Sequence, residues 1–295
     1  MKTLPLTTAL LACIALAPAF AATPIDETRA LDPRGSLEVS NVKGRIEVRA
    51  WDRPEVRISG SLGDGVERLQ IEGDQRNLEV KVRYPRNGRD TEPTTLILDV
   101  PRQVDLEIDS VAAEIDVSGV AGSGLDIESV SGNVVAVGAP RAASISSVSG
   151  DLRLNLNSRK VDVESVSGRI DLRGRLGGEI SAETVSGDIH IDSRGEALRR
   201  LSSSSVSGDA HYTGALAEGG RISAESVSGD IRLALPKALS ARVHGESFSG
   251  DLSAPGASID RPKYGPGASF EHSYGSGKGE IRMETFSGDA ELVLE

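Results

Sequence analysis

The chain has 295 residues, and its 44 Asp and Glu outnumber its 33 Lys and Arg to leave a formal charge of −11. A surface with that balance repels phosphate backbones and anionic headgroups, which argues against nucleic-acid binding. Aromatic residues make up only 3% of the sequence, so any core has to be built from Val, Ile, Leu and Ala.

The chain opens MKTLPLTTALLACIALAPAFAATP. Lys2 precedes an apolar run that ends at Ala19-Phe20-Ala21, the small-x-small pattern that signal peptidase reads. Residues 1–21 therefore read as a signal peptide cleaved after Ala21, with the mature chain exported to the periplasm or the cell surface. The run is too short to argue for a membrane span, and the mature chain shows no transmembrane segment. Cys13 offers a lipoprotein alternative, but the apolar run continues past it to Phe20, where a lipidated cysteine would end it. Cleavage after Ala21 removes the single cysteine, and with it any thiol chemistry.

Residues 22–103 read as alternating strands joined by Gly, Asn, Asp and Pro turns. They form a β meander suited to cover the open edge of a larger sheet. Within them Asn41-Val42-Lys43-Gly44-Arg45-Ile46 has the look of a diverged first repeat.

Residues 104–295 are dominated by a recurring phrase, SVSGD, seen in full at Ser205–Asp209. Its glycine returns at Gly132, Gly150, Gly168, Gly187, Gly208, Gly229, Gly250 and Gly288, in steps of 18, 18, 19, 21, 21, 21 and 38. The last step reads as two repeats long, and Ala113 stands in a degenerate copy 19 residues before Gly132. Inside each unit apolar residues alternate. In VDVESVSGRIDL, Val161, Val163 and Ser165 share a face, and Val166, Gly168, Ile170 and Leu172 share the next, with a parity switch between Ser165 and Val166. Two short strands per unit at a fixed period predict an all-β fold, a β-solenoid (single-stranded β-helix-like) of about ten rungs of 18–21 residues capped by the N-terminal meander. The glycine either admits a close backbone approach or relaxes the bend. Residues 254–279 break the period, as an end cover or a surface loop.

The runs TLILDVPRQVDLEIDSVAAEIDVSGVAG and IEVRAWDRPEVRISG, with the repeated SVSGD and the closing METFSGDAELVLE, resemble the bacterial "putative adhesin" family. These are exported β-strand-repeat proteins built on a domain of unknown function. The resemblance covers about residues 36–295 and implies a β-repeat fold in the cell envelope. It carries no catalytic residues onto this chain.

Two polar columns flank the glycine. Four residues before it stand Glu128, Ser146, Glu164, Glu183, Ser204, Glu225, Glu246 and Glu284, and one after it Asn133, Asp151, Arg169, Asp188, Asp209, Asp230, Asp251 and Asp289, all outward by parity. Asp188, Asp209, Asp230 and Asp251 make a candidate Ca²⁺ or Mg²⁺ ladder, since these ions take oxygen ligands. The simpler reading is that each Asp caps a turn by accepting a backbone N–H. His190 and His211 occupy equivalent places with Asp171 before them, a candidate transition-metal trio or a plain exposed stripe. No catalytic residue is expected. The acidic columns are continuous, so nothing separates one carboxyl from another as acid and base, and the loops are too short to wall a cleft. The scarce aromatics gather at Tyr264, Phe270 and Tyr274, which are the candidate ligand contacts, or else the packing of an end cap. The sequence as a whole points to a non-enzymatic exported envelope protein whose solenoid is a binding or scaffold surface, adhesin-like, for an envelope protein or a cell-surface glycan. A periplasmic partner of a membrane-bound envelope regulator, and a polysaccharide-acting enzyme, are the alternatives. No cofactor is expected beyond the candidate Ca²⁺.

Overall fold

The computed structural model describes residues 23–86 and 91–295. The expected signal peptide, with Cys13, lies outside them. The described chain forms 22 strands joined into one largely parallel sheet that winds as a solenoid. Among the described residues no helix is long and apolar enough to cross a membrane.

One rung shows how sequence makes the structure. In the first arm, Lys160–Ser167, Val161 and Val163 are fully buried while Glu164 is exposed, which is the period of two that a strand with one buried face requires. The chain turns through Gly168, and the second arm, Ile170–Arg173, buries Ile170 and Leu172. Each arm pairs in parallel register with the same arm of the rungs above and below. Val163 lies between Ile145 and Ala182, and Leu172 between Leu154 and Ile191. Like therefore stacks on like at the strand spacing of about 4.8 Å, and the inward residues merge into one apolar cluster reaching from Ile25 to Leu292. Each fully buried Val, Leu or Ile contributes roughly 1.5–3 kcal/mol, so the rod is held by accumulation and not by any one contact.

The motif glycine is required twice over. Gly168 sits at φ 140°, and a Cβ there would lie 2.2 Å from the carbonyl oxygen of Gly150 in the rung before it. Gly150 meets Gly132 in the same way, and Gly132 meets Ala113, which takes the motif place as its spacing predicts. Of the two roles open to the glycine, close backbone approach is thus established. Next to it runs a hydrogen-bonded seam. Asp188 Oδ1 accepts the Asp209 N–H at 3.2 Å, and Asp209 Oδ1 that of Asp230 at 2.9 Å.

The structure departs from the sequence reading at the corner. Alternation predicts that Val166 turns inward after a parity switch at Ser165. Instead Val166 stays outside at 46% exposure, Ser167 after it is exposed as well, and inward positions resume only at Ile170, past the glycine turn. A positive-φ glycine reverses the chain direction without a bulge, so the valine ahead of it is never carried inward.

Both ends depart from sequence order. Ser36–Trp51 spans two arms and pairs along its length with Asp105–Ser118. On its other side it pairs with Asn77–Arg83 and Thr94–Pro101, so an early strand lies inside the stack and Asn41–Ile46 belongs to a complete rung. Antiparallel strands cover that end: Arg68–Gly73 on one arm, and Glu55–Leu62 followed by Thr23–Ala30 on the other. At the far end the 38-residue step does not hold two successive rungs. The last rung, Gly279–Thr285 with Ala290–Leu294, inserts between the rung of Ile231–Leu235 and that of Ala241–Ser247. Glycine packing fixes the order, since a Cβ at Gly288 would meet Gly229 O at 2.3 Å and one at Gly250 would meet Gly288 O at 2.0 Å. Ala268–Tyr274, within the irregular 254–279 segment, then covers this end as an antiparallel strand on Ala241–Ser247.

Candidate ligand-binding groove

The outward valine creates a long concavity on the surface. At the end of each first arm three consecutive residues, such as Glu164-Ser165-Val166, pass through a bend. Ser165 is buried, while Glu164 and Val166 stand out on either side of it. Repeated up the stack, these triplets line one groove of about 910 Å³ that runs from Ser40-Asn41-Val42 to Ser204 and Val206. One wall is acidic, with Asp109, Glu128, Glu164 and Glu183, and the other is a ladder of half-exposed valines. Lys81 is the one cation lining the groove, at its N-terminal end. The apolar stripe continues past the groove through Val227 to the inserted rung, whose Phe286 ring stacks on Phe248 at 4.7 Å and 6°. These exposed apolar side chains form one continuous stripe over many rungs.

Carboxylates flanking the acidic wall repel one another. Burial raises the pKa of Asp126, with Asp109 adding to it, and burial together with Glu38, Asp109, Asp126 and Glu128 raises that of Glu107. The like charges arrive in register from neighbouring rungs, Glu38 beside Glu107 and Glu107 beside Asp126. A cation placed along this wall would relieve that repulsion.

Beneath the groove lies a hydroxyl ladder. Ser147, Ser165, Thr184, Ser205, Ser226 and Thr285 bury their hydroxyl oxygens with no hydrogen-bond partner among the described residues. Toward the ends the equivalent hydroxyls are paired. Ser110 Oγ accepts the Ala113 N–H at 3.0 Å, and Ser247 Oγ donates to Gly288 O at 3.2 Å. The rung spacing of about 4.8 Å explains why the central hydroxyls do not pair with one another, because an O–H···O bond needs about 2.7–2.8 Å.

The sequence-chosen residues fall elsewhere. Tyr264 is 83% exposed on the 254–279 segment, with the Lys263 ammonium 5.5 Å from its ring centre. Phe270 points inward, buried against Gly245 in the end rung, so it packs the cap and does not face solvent. The Tyr274 hydroxyl donates to Pro255 O at 2.7 Å, and burial raises its pKa. The fold therefore does not bring these three rings onto one surface. Asp188, Asp209 and Asp230 each commit one oxygen to the backbone of the next rung, while Asp251 receives Arg261 at 2.6 Å. His190 and His211 do adjoin in register, with ring centres 6.4 Å apart and Asp171 beside His190. Among the described residues, the three metal-ligating side chains whose donor atoms lie within 4.8 Å of one another are His244, Glu246 and Glu284. There Arg282 already pairs with Glu284 at 3.3 Å.

Sequence reasoning missed the groove because it turned the valine inward. The signal was present in the composition of that column: the place held by valine in the middle of the rod is held by Phe248 and Phe286 near its end, a size change that a packed interior would not accept.

No curated protein matches the sequence. Among solved structures the chain is similar to a "putative adhesin" of Bacteroides fragilis, with a TM-score of 0.43, 11% identity, and coverage of 92% of this chain and 98% of that one. It is also similar to a "putative adhesin" of Parabacteroides merdae, at a TM-score of 0.37 and 8% identity, over 92% of this chain and 96% of the other. A "putative lipid binding protein" of Parabacteroides distasonis is similar at a TM-score of 0.36 and 10% identity, over 92% and 97% of the two chains. Residues 35–219 match the family described as Toastrack DUF4097, and the chain belongs to that family.

Proposed function

We propose that this protein is a non-enzymatic, exported, adhesin-like binding and scaffold protein of the cell envelope, and that the valine–acid groove is its binding surface. One observation carries the reading: a half-exposed apolar ladder set beside an acidic wall along one continuous groove. Charge complementarity selects the occupant. An extended polypeptide segment with apolar and cationic side chains buries its apolar groups on the valines and sets its Lys or Arg against Asp109, Glu128, Glu164 and Glu183. The acidic columns support a binding role over catalysis, because Glu128, Glu164 and Glu183 hold equivalent places in the groove and no pair of them is set apart as acid and base.

The test is in-cell photocrosslinking from the groove in the native envelope, followed by recovery of the mature chain. A crosslinker at Val148 or Val166 is expected to capture one defined protein, and the double change Val148→Asp, Val166→Asp to abolish capture while leaving the melting temperature within a few degrees, since both side chains are already half in water. Recovery of glycan with no defined protein, or capture undiminished by the double change, overturns the reading.

A further inference from the structure

A second concavity has the opposite chemistry. It lies where the second arm of each rung hands over to the first arm of the next, and holds about 680 Å³. Arg34, Arg141 and Arg159 line it, together with Gln103, Ser123 and Asn157, and no carboxylate is among the lining residues. On a chain of net charge −11 such a gathering is out of balance with the rest of the surface. Nearby arginines are committed: Arg102 to Asp52 at 3.1 Å, Arg153 to Asp151 at 2.8 Å and Arg175 to Glu196 at 2.9 Å. Arg34, Arg141 and Arg159 make no ion pair among the described residues.

Two polar neighbours already have their amide oxygens engaged. Gln103 spends its amide oxygen on Arg34 Nε at 3.2 Å, and Asn157 spends its own on the Arg175 N–H at 3.0 Å. What each amide has left to offer is its NH₂ group. Two carboxylates lie close by: Asp105 is used by the Ser123 and Gly124 N–H groups at 2.6 and 3.0 Å, and Asp32 accepts the Arg34 backbone N–H at 2.9 Å. The loops themselves are held in place. The Arg159 N–H donates to Arg141 O at 3.3 Å, the Arg141 N–H to Gly122 O at 3.0 Å, and Ser158 Oγ to Pro140 O at 2.5 Å. Guanidinium forks that face no carboxylate, amide donors and a fixed frame form a receiver for oxyanions.

Spacing indicates what kind. Arg141 and Arg159 arise one rung apart, about 4.8 Å, and Arg34 three rungs beyond Arg141, roughly 14 Å further along the rod. A single phosphate or carboxylate reaches at most the first two. We propose that this arginine edge binds a linear polyanion, a polymer with repeated phosphate or carboxylate groups, laid along the rod axis. The net charge of −11 and the carboxylates of the valine groove work against binding of such a polymer on that face. The site is separate from the valine groove and does not depend on the function proposed for it.

The experiment uses the full mature chain and two labelled probes, polyphosphate and polygalacturonate, at about 0.1 M salt where distant charges are largely screened. Anisotropy is expected to show saturable binding of at least one of them. Binding of polyphosphate alone identifies phosphate as the oxyanion, and binding of polygalacturonate alone identifies carboxylate. The double variant Arg141→Ala, Arg159→Ala should weaken binding by about tenfold or more, the loss expected when charge-assisted hydrogen bonds are removed. Arg141→Lys, Arg159→Lys keeps the charge but not the fork and should fall between. Arg153→Ala, Arg173→Ala, two arginines paired elsewhere, should bind as the parent does. These side chains are exposed, so melting temperature serves as the folding control. Absence of binding to both polymers, an equal loss in the two alanine doubles, or competition by inorganic phosphate as effective as the polymer at equal phosphate concentration would each overturn the proposal. Loss of valine-groove binding in Val148→Asp, Val166→Asp without loss of polyanion binding separates the two sites.

Discussion

The middle of the rod and its two ends obey the same packing rules but reach them by different routes. From Asp105 to Leu235 the order of rungs in space is their order in sequence, and each rung rests on its predecessor. At both ends the chain steps past its neighbour and returns. Ser36–Trp51 is enclosed by strands that come later, and Gly279–Leu294 is enclosed by strands that come earlier. A stack built only in sequence order would end on its last rung and could lose that rung without disturbing the others. Here each terminal rung is interior, so the ends are locked by long-range pairing.

The largest effect should come from breaking that lock. Stopping the chain at Lys278 removes a rung from inside the stack and with it the buried side chains of Ile281, Met283, Ala290 and Leu292. Three of those are large, so the direct loss is on the order of 5–9 kcal/mol. It also strips the parallel partner from Ala241–Ser247 and one of the two parallel partners from Ile231–Leu235. The expected result is a chain whose residues beyond about 220 exchange amide hydrogens rapidly while those of the middle rungs remain protected. Retained protection across Ala241–Ser247 would show that the two flanking rungs close on each other, and that the insertion is not needed for the end to hold.

The fold was legible where the period was intact. Glycine steps of 18 to 21 and the strict alternation in segments such as Lys160–Ser167 identify the solenoid and its inward residues before any coordinate is seen. Two things were not legible. The order of rungs at the ends is a matter of pairing between distant segments, and the sequence of Gly279–Thr285 carries nothing that says which two rungs it will separate. The groove was hidden by a single choice at the corner: whether parity switches before or after Val166 decides if the valine ladder is core or surface. Alternation alone does not decide it, since a positive-φ glycine and a bulge leave the same letters behind.

A smaller effect tests the middle by itself. Gly168→Ala places a Cβ at φ 140° and 2.2 Å from a backbone oxygen that cannot move without shifting the neighbouring rung. A destabilisation of roughly 3 kcal/mol or more is expected, from strain and displacement together. Gly124→Ala, where nothing lies within 4 Å and φ is not positive, is the matched control and should be neutral or stabilising by about 0.4–1 kcal/mol. Chemical denaturation of the two variants measures the difference. Equal midpoints would mean that glycine-on-glycine packing is not what sets the corner.

The smallest effect compares the hydroxyl ladder at its centre and at its end, and there the two regions should respond with opposite sign. Ser165 Oγ is buried without a partner, so the folded state carries the cost of drying that hydroxyl and gains no bond in return. Ser165→Ala removes the cost and leaves a void of one oxygen atom, so stability should rise, by about 1 kcal/mol. Ser247 Oγ donates to Gly288 O at 3.2 Å, across the junction between the end rung and the inserted one. Ser247→Ala gives up that bond at a fully buried position, and stability should fall by a similar amount. The sign matters more than the size, because both changes delete the same atom from the same column and differ only in whether the neighbouring rung supplies an acceptor. Melting curves of the two single variants and of their combination give the answer. If Ser165→Ala destabilises as Ser247→Ala does, the central hydroxyls are hydrogen-bonded in solution, and the ladder then contributes to stability along its whole length and not only where the inserted rung meets it.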